Sequence, residues 1–170
     1  MPAASRVLLL VEHDGDTVSN ASRQLMAQAR EHADRLGAEF ATLLLGYQVQ
    51  GLAQAVAAMG ADVVYVAEAQ HLAEYSPVVY VEALEQALKS LSPQLALLPD
   101  SFSARETGPA VAFRLGIPFI SNCVGLELSE AGMTAVQPRY GGAVHVKVQL
   151  PMPAMVWLQP GPGGEDCQHR

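Results

Sequence analysis

Five apolar residues in succession, Val7-Leu8-Leu9-Leu10-Val11, constrain this chain more than any other feature. An uninterrupted apolar run of strand length describes a strand covered on both faces, as in a parallel sheet wrapped by helices. The next hundred residues repeat the theme. Leu25, Ala29, Ala33 and Leu36 fall on one helical stripe that Gly37 closes, and Ser19 or Ser22 suits its N-cap. Glu39 to Leu45 is a second strand. Leu52, Val56 and Met59 mark a short helix ending at Gly60, and Asp62 to Val66 is a β-branched third strand. A polar connection, Ala67 to Tyr75, leads to Ser76-Pro77, the cap and first turn of a helix with Val81, Leu84, Leu88 and Leu91 on its buried face. Gln94 to Leu98 is the fourth strand. Thr107-Gly108-Pro109 is expected to open a helix running to Leu115, and Ile117 to Ser121 is the fifth strand. Strands alternating with helices predict right-handed βαβ crossovers and a mainly parallel sheet.

After Ser121 the period changes. Val124 to Leu128, Met133 to Pro138 and Ala143 to Leu150 alternate like strands, punctuated by Gly132 and Gly141-Gly142. This is a β-meander. Met155 to Leu158 is a last strand. Residues 1–160 are read as one domain, and the Gly/Pro-rich end, residues 161–170, as a disordered tail.

Composition narrows the function. Half of the 170 residues are hydrophobic and 16% are charged, which suits a folded core. A net charge of -7 argues against a nucleic-acid surface and against docking on an anionic membrane. The longest clean apolar run is too short for a membrane helix or a signal-peptide core, so a cytoplasmic protein is expected. Of the two cysteines, Cys123 reads as a buried thiol and Cys167 as an exposed one, with no disulfide between them. Cys167 with His169 makes too few ligands for a metal site.

Open parallel sheets bind ligands beyond their strand C-termini, where the strand order reverses. Three loops qualify: Glu12-His13-Asp14-Gly15-Asp16, Gly46-Tyr47-Gln48, and Asp100 to Gly108. The third has the best chemistry. Ser101, Ser103 and Thr107 supply hydroxyls, the backbone around Thr107-Gly108 would open a helix and favour an anion, and Arg105 could add a charge-assisted bond. Ordinary capping by Ser103 or Thr107, with Arg105 paired to Glu106 or solvent, accounts for the same residues. There is no GxGxxG, no P-loop, no nucleophile elbow and no nucleophile with an obvious His and Asp, so no catalytic residue is assigned. His13 is expected to face water at its turn, His32 to sit on a polar helix face, and His145 to point outward from a strand.

Several segments together resemble the N-terminal domain of electron transfer flavoprotein alpha subunits. Val7 to His13 is similar to that family's opening strand and Glu-His. Met59-Gly60-Ala61-Asp62 resembles its Gly-Ala-Asp before the third strand. Leu97-Leu98-Pro99-Asp100-Ser101 through Ala112 matches its fourth strand, loop and helix. Pro118-Phe119-Ile120-Ser121-Asn122 resembles its Pro-x-Ile-Ser-Asp, and Gln137-Pro138-Arg139-Tyr140-Gly141-Gly142 its Arg-Pro-x-Tyr-[Ala/Gly]-Gly.

The resemblance implies a Rossmann-like α/β domain of the adenine nucleotide alpha hydrolase-like type. It implies a role in flavin-dependent electron transfer by docking with a beta-like subunit, with FAD held mainly by a following domain and bound weakly or not at all by these residues alone. Self-association as a homo-oligomer is the alternative partner. Glu106-Thr107-Gly108-Pro109 is similar to the Gln-Thr-Gly-Pro with which the family's beta subunit binds AMP, which implies an AMP-like ligand at Ser101, Ser103, Arg105, Thr107 and Gly108. Docking is expected on the meander, with Tyr140 and Met133 as candidate contacts or as core. Two positions depart from the pattern: Gln137 replaces an Arg, and Ala143 an Asn or Lys. Glu12 to Asp16 replaces the Ser-Gly-Gly-x-Asp-Ser of the hydrolases, so pyrophosphatase chemistry is not expected.

Overall fold

Val7 to Val11 lie at the middle of a six-stranded sheet, as β1 (Arg6–Val11). The computed structural model describes residues 5–129 and 132–160. The other strands of this sheet are β2 (Glu39–Gly46), β3 (Val63–Glu68), β4 (Leu95–Leu98), β5 (Phe119–Cys123) and β9 (Ala154–Leu158). Their order is β3-β2-β1-β4-β9-β5, and every pairing is parallel. The last strand therefore slots between β4 and β5 rather than extending an edge.

Four helices cover the two faces: α1 (Asn20–Leu36), α2 (Gln50–Ala58), α3 (Pro77–Leu91) and α4 (Phe102–Leu115). α1 and α2 pack on one face with Val7, Leu9, Val11, Leu44 and Val156. α3 and α4 pack on the other with Leu8, Leu10, Leu43, Leu98 and Met155. Odd and even residues of β1 thus feed two separate cores, which is why neither parity is polar. No helix among the described residues is long and apolar enough to cross a membrane.

Between β5 and β9 the chain forms the meander β6 (Gly125–Ser129), β7 (Gly132–Arg139) and β8 (Val144–Leu150), a separate antiparallel sheet. Leu126, Met133 and Ala135 join the α1/α2-side core, so this small sheet completes the cover of that face where a third helix would otherwise lie. Gln137 is buried on the same side; its Nε2 donates to the Ser121 carbonyl and its Oε1 accepts from Arg139 at 2.9 Å, tying β7 to β5. The residue where the family pattern has Arg is here a structural cross-link.

Several local expectations need correcting. α4 starts at Phe102, not at Thr107, so Thr107 and Gly108 lie inside it. β5 spans Phe119–Cys123 rather than starting at Ile117, and β3 begins at Val63, because Asp62 turns its carboxylate back to accept the Phe40 amide and an Arg30 hydrogen bond. Of the two capping candidates for α1, Ser19 accepts from the Ser22 amide, while the Ser22 hydroxyl accepts from the Glu12 amide at 2.9 Å. Pro77 does occupy the first turn of α3, but the Ser76 side chain makes no cap bond. Cys123 is buried as expected, and burial pushes its thiol up to about 11. The tail beyond residue 160, with Cys167, lies outside the described residues.

His32 is also unlike its expectation. It points into the core from α1 at 6% exposure, beside Ala29 and Ala33, and its Nδ1 has no hydrogen-bond partner among the described residues. Burial holds its pKa below the ordinary value, with Glu31 opposing and Arg35 assisting. Well above about pH 6.5 the imidazole is neutral folded or unfolded and contributes no pH dependence. Below that, the unfolded chain takes up a proton that the folded core resists, so stability falls. His32→Leu should remove this component. In urea titrations at about pH 7.5 and pH 5.5 the variant's advantage over the parent should grow on acidification; an advantage that stays constant would contradict the assignment.

Candidate functional site

The strand order reverses direction between β1 and β4: one connection from their C-terminal ends runs to α1 on one face, the next to α4 on the other. Such a point leaves a crevice. Here it is a cavity of about 280 Å³. Leu10, Leu45 and Leu84 line it with hydrocarbon, Tyr75 and Tyr80 with aromatic rings, and Glu12, Ser103 and Thr107 with polar groups. Two of the three loops singled out in the sequence, those after β1 and β4, meet in it.

Glu12 is its central polar residue. The Ser101 hydroxyl donates to Glu12 Oε1 at 2.7 Å, and the Ser103 hydroxyl donates to the same oxygen. The backbone of Glu12 is fixed as well, its amide on Ser22 and its carbonyl accepting from the Ser19 amide at 2.8 Å. Ser101 is the N-cap of α4, since its Oγ accepts from the Ala104 amide at 3.0 Å. The remaining predicted site residues are distributed differently from the sequence reading. Thr107 is buried in the second turn of α4 and donates its hydroxyl to the Ser103 carbonyl at 2.8 Å. Arg105 turns away from the cavity, pairing with Asp100 at 2.7 Å and stacking over the Trp157 ring at 4.6 Å. Gly108 meets the Phe119 ring, and a Cβ there would lie 2.9 Å from it. The structure thus brings Ser103 and Thr107 to the cavity, holds Ser101 behind them on Glu12, and leaves Ser101, Arg105 and Gly108 outside the lining.

Two residues that sequence reasoning passed over shape the cavity. Tyr75 crosses from the start of α3 to α4, donating its hydroxyl to Glu106 Oε2 at 2.8 Å, and its ring meets Tyr80 edge-on with centroids 4.9 Å apart. Burial raises the pKa of both phenols, with Glu106 adding to the effect at Tyr75 and Glu12 at Tyr80. Neither tyrosine carries a motif, so only the fold could show the pairing. His13, expected to face water, is half-buried instead: its Nε2 lies 2.9 Å from the Leu45 carbonyl, and its Nδ1 accepts from the Gly15 amide at 3.1 Å. Accepting at Nδ1 places the ring proton on Nε2, a neutral tautomer that ties the first loop to the end of β2. Gly46 makes room for that ring, as a Cβ there would sit 2.8 Å from Nε2 and 2.6 Å from Val49. In the second predicted loop Gly46 therefore acts by its small size, while Tyr47 of the same loop stands 42% exposed.

A family model described as "Electron transfer flavoprotein domain" matches residues 7–162, taking in both the parallel sheet and the meander. The chain belongs to the electron transfer flavoprotein domain family. Its similarity runs to alpha-type members. An electron transfer flavoprotein subunit alpha from Thermoanaerobacterium thermosaccharolyticum is 27% identical over 158 residues, covering 91% of this chain and 48% of that protein. Protein FixB from Clostridium saccharobutylicum is 28% identical over 159 residues, covering 91% of this chain and 47% of its own length. The chain spans about half the length of these relatives. Among solved structures, a maleylacetate reductase from Agrobacterium tumefaciens aligns over 94% of this chain and 42% of its own at 23% identity, with a TM-score of 0.34, too loose a superposition to bear on this electron transfer flavoprotein domain.

Glycine substitutions test how tightly the cavity's surroundings are packed. Gly46→Ala and Gly108→Ala should each destabilise by about 1–3 kcal/mol, because a held ring must shift. Gly51→Ala, in α2 where an added Cβ meets nothing within 4 Å, should be neutral or stabilising by up to about 1 kcal/mol. Urea midpoints at constant m-value measure all three.

Proposed function

We propose that this domain serves flavin-dependent electron transfer as a docking element. It associates with a beta-like electron transfer flavoprotein subunit through the open side of its small sheet, and the flavin is held by partner elements rather than by these residues alone. One observation carries the reading. On β7 and β8 the paired residues Ala135 and Val148, Gln137 and Val146, and Arg139 and Val144 share a face. At the β6 side this face is core; toward β8 it runs out past the core, leaving Val146 38% and Val144 47% exposed, and Tyr140, in the turn that joins β7 to β8, is 88% exposed. Contiguous exposed apolar side chains at the end of a core face are suited to cover by another chain. Of the two candidate contacts, Met133 is 2% exposed and belongs to the core, while the exposure of Tyr140 supports it as a contact. Family membership and the alpha-type relatives support the same role.

Mixed with an electron transfer flavoprotein beta subunit, the domain should form a stable heteromer by light scattering. Tyr140→Asp should weaken it at least tenfold, the scale of a lost aromatic anchor of about 2 kcal/mol. Val78→Asp, on exposed α3 surface, should not. A domain that forms only homodimers through the same face, or that retains stoichiometric flavin absorbance alone, would overturn the proposal.

The second reading is an adenine nucleotide at Ser101, Ser103, Arg105, Thr107 and Gly108. The cavity at the strand switch favours it. Glu12 on the two serine hydroxyls and Asp100 on Arg105 oppose a phosphate there. A rise in melting temperature with AMP would support this reading, since any ligand specific for the native state must stabilise it.

A further inference from the structure

The polar character of the cavity between β1 and β4 is set by a carboxylate, and that determines what it can hold. Its volume of about 280 Å³ is near the lower limit of small-molecule sites, roughly 300–1,000 Å³, which suits a single ring system. Among the described residues that line it there is no Arg or Lys; the charged side chains are Glu12 and Asp14. The serine hydroxylic protons are directed at Glu12 Oε1, so they are not free to meet an anion. The second carboxylate oxygen, Oε2, accepts no hydrogen bond from a described residue. Glu12 is partly buried and lines a largely hydrocarbon pocket, so it brings to that lining a carboxylate with one oxygen that no described residue occupies. Leu10, Leu45 and Leu84 offer apolar surface, and the Tyr75–Tyr80 pair forms a wall held in place by the Tyr75–Glu106 hydrogen bond.

We propose that this cavity is a binding site for a small planar ring carrying an amidine-type N–H pair, the ring lying against Tyr80 and Leu84 and the N–H groups directed at Glu12. Three physical requirements converge on that class. A carboxylate is best matched by a cationic or strongly polarised N–H donor, and charge-assisted bonds of this kind are about twice as strong as neutral ones. The apolar lining rewards a flat hydrophobic body, and the aromatic faces attract its positive edge. An anion of the same shape would meet Glu12 with no cation to offset it. The site is independent of the docking face, since Tyr140, Val144 and Val146 are not part of its lining. Failure of one proposal leaves the other standing.

Benzamidine is a suitable probe, with benzoate as the ring-matched anion and inorganic phosphate as the bare one. In calorimetric titrations and 15N-resolved NMR, benzamidine should bind at millimolar concentration or below. It should shift resonances of Leu45, Tyr80, Leu84 and Ser103 together. Benzoate and phosphate should neither bind there nor displace it. Glu12→Gln keeps an acceptor for Ser101 and Ser103, and should weaken benzamidine about tenfold or more while leaving the thermal midpoint close to that of the parent. Tyr80→Leu keeps the pocket apolar without its aromatic wall and should also weaken it. Shifts spread over the acidic surface, benzoate binding as well as benzamidine, or a Glu12→Gln variant that binds with parental affinity would each overturn the proposal. If phosphate binds at Ser103 instead, the cavity is an anion site and the assignment is wrong.

Discussion

Val7 to Val11 range from 0% to 8% exposure, so neither face of β1 touches water. Each such side chain contributes about 1.5–3 kcal/mol of burial, counted as an upper bound. That burial is only available if helices cover both faces and parallel neighbours satisfy both backbone edges. β2 and β4 supply the edges, and the two helical layers supply the cover. The end of β1 is fixed by the same packing, and the chain must leave it at the point where the sheet changes direction. Glu12, the first residue past the strand, is placed in the crevice for that reason.

The electrostatics of the crevice derive from this placement. Glu12 is held by its amide and carbonyl before its side chain does anything, so its carboxylate has a defined position. Ser101 and Ser103 arrive from β4 on the other side and direct their hydroxyls to it. A capping residue, Ser101, therefore has two tasks: its Oγ accepts from the helix and its proton goes to Glu12. Arg105, the one cation of that loop, finds Asp100 and the Trp157 face closer to hand. The result is a cavity that accepts hydrogen bonds, in a position where related folds commonly present donors to phosphate.

The meander resolves a different problem. Two helices, α1 and α2, cover only part of their face of the six-stranded sheet, and β6 and β7 complete it. β8 extends beyond the surface they cover. Its Val residues keep the alternation appropriate to a core face; Val148 packs against the core, while Val146 and Val144 stand exposed beyond it. The strand pattern and the exposed valines together mark a surface suited to cover by another polypeptide.

Much of this is legible in the sequence. Apolar periodicity, the glycine stops at Gly37 and Gly116, and the change to alternation after Ser121 determine the α/β class, the parallel strands and the meander, because these depend on short-range geometry and burial of contiguous residues. The start of α4 is not legible, since Pro109 suits a first turn and nothing local shows that Ser101 already caps the helix. Nor is the burial of His32, surrounded in sequence by charged residues yet turned inward by the helical period. The insertion of β9 between β4 and β5, the convergence of Glu12 with Ser101 and Ser103, and the diversion of Arg105 to Asp100 and Trp157 were decided only by tertiary structure. Glu12 and Ser101 are 89 positions apart, and their contact exists because two buried parallel strands end side by side, a relation that no local pattern encodes.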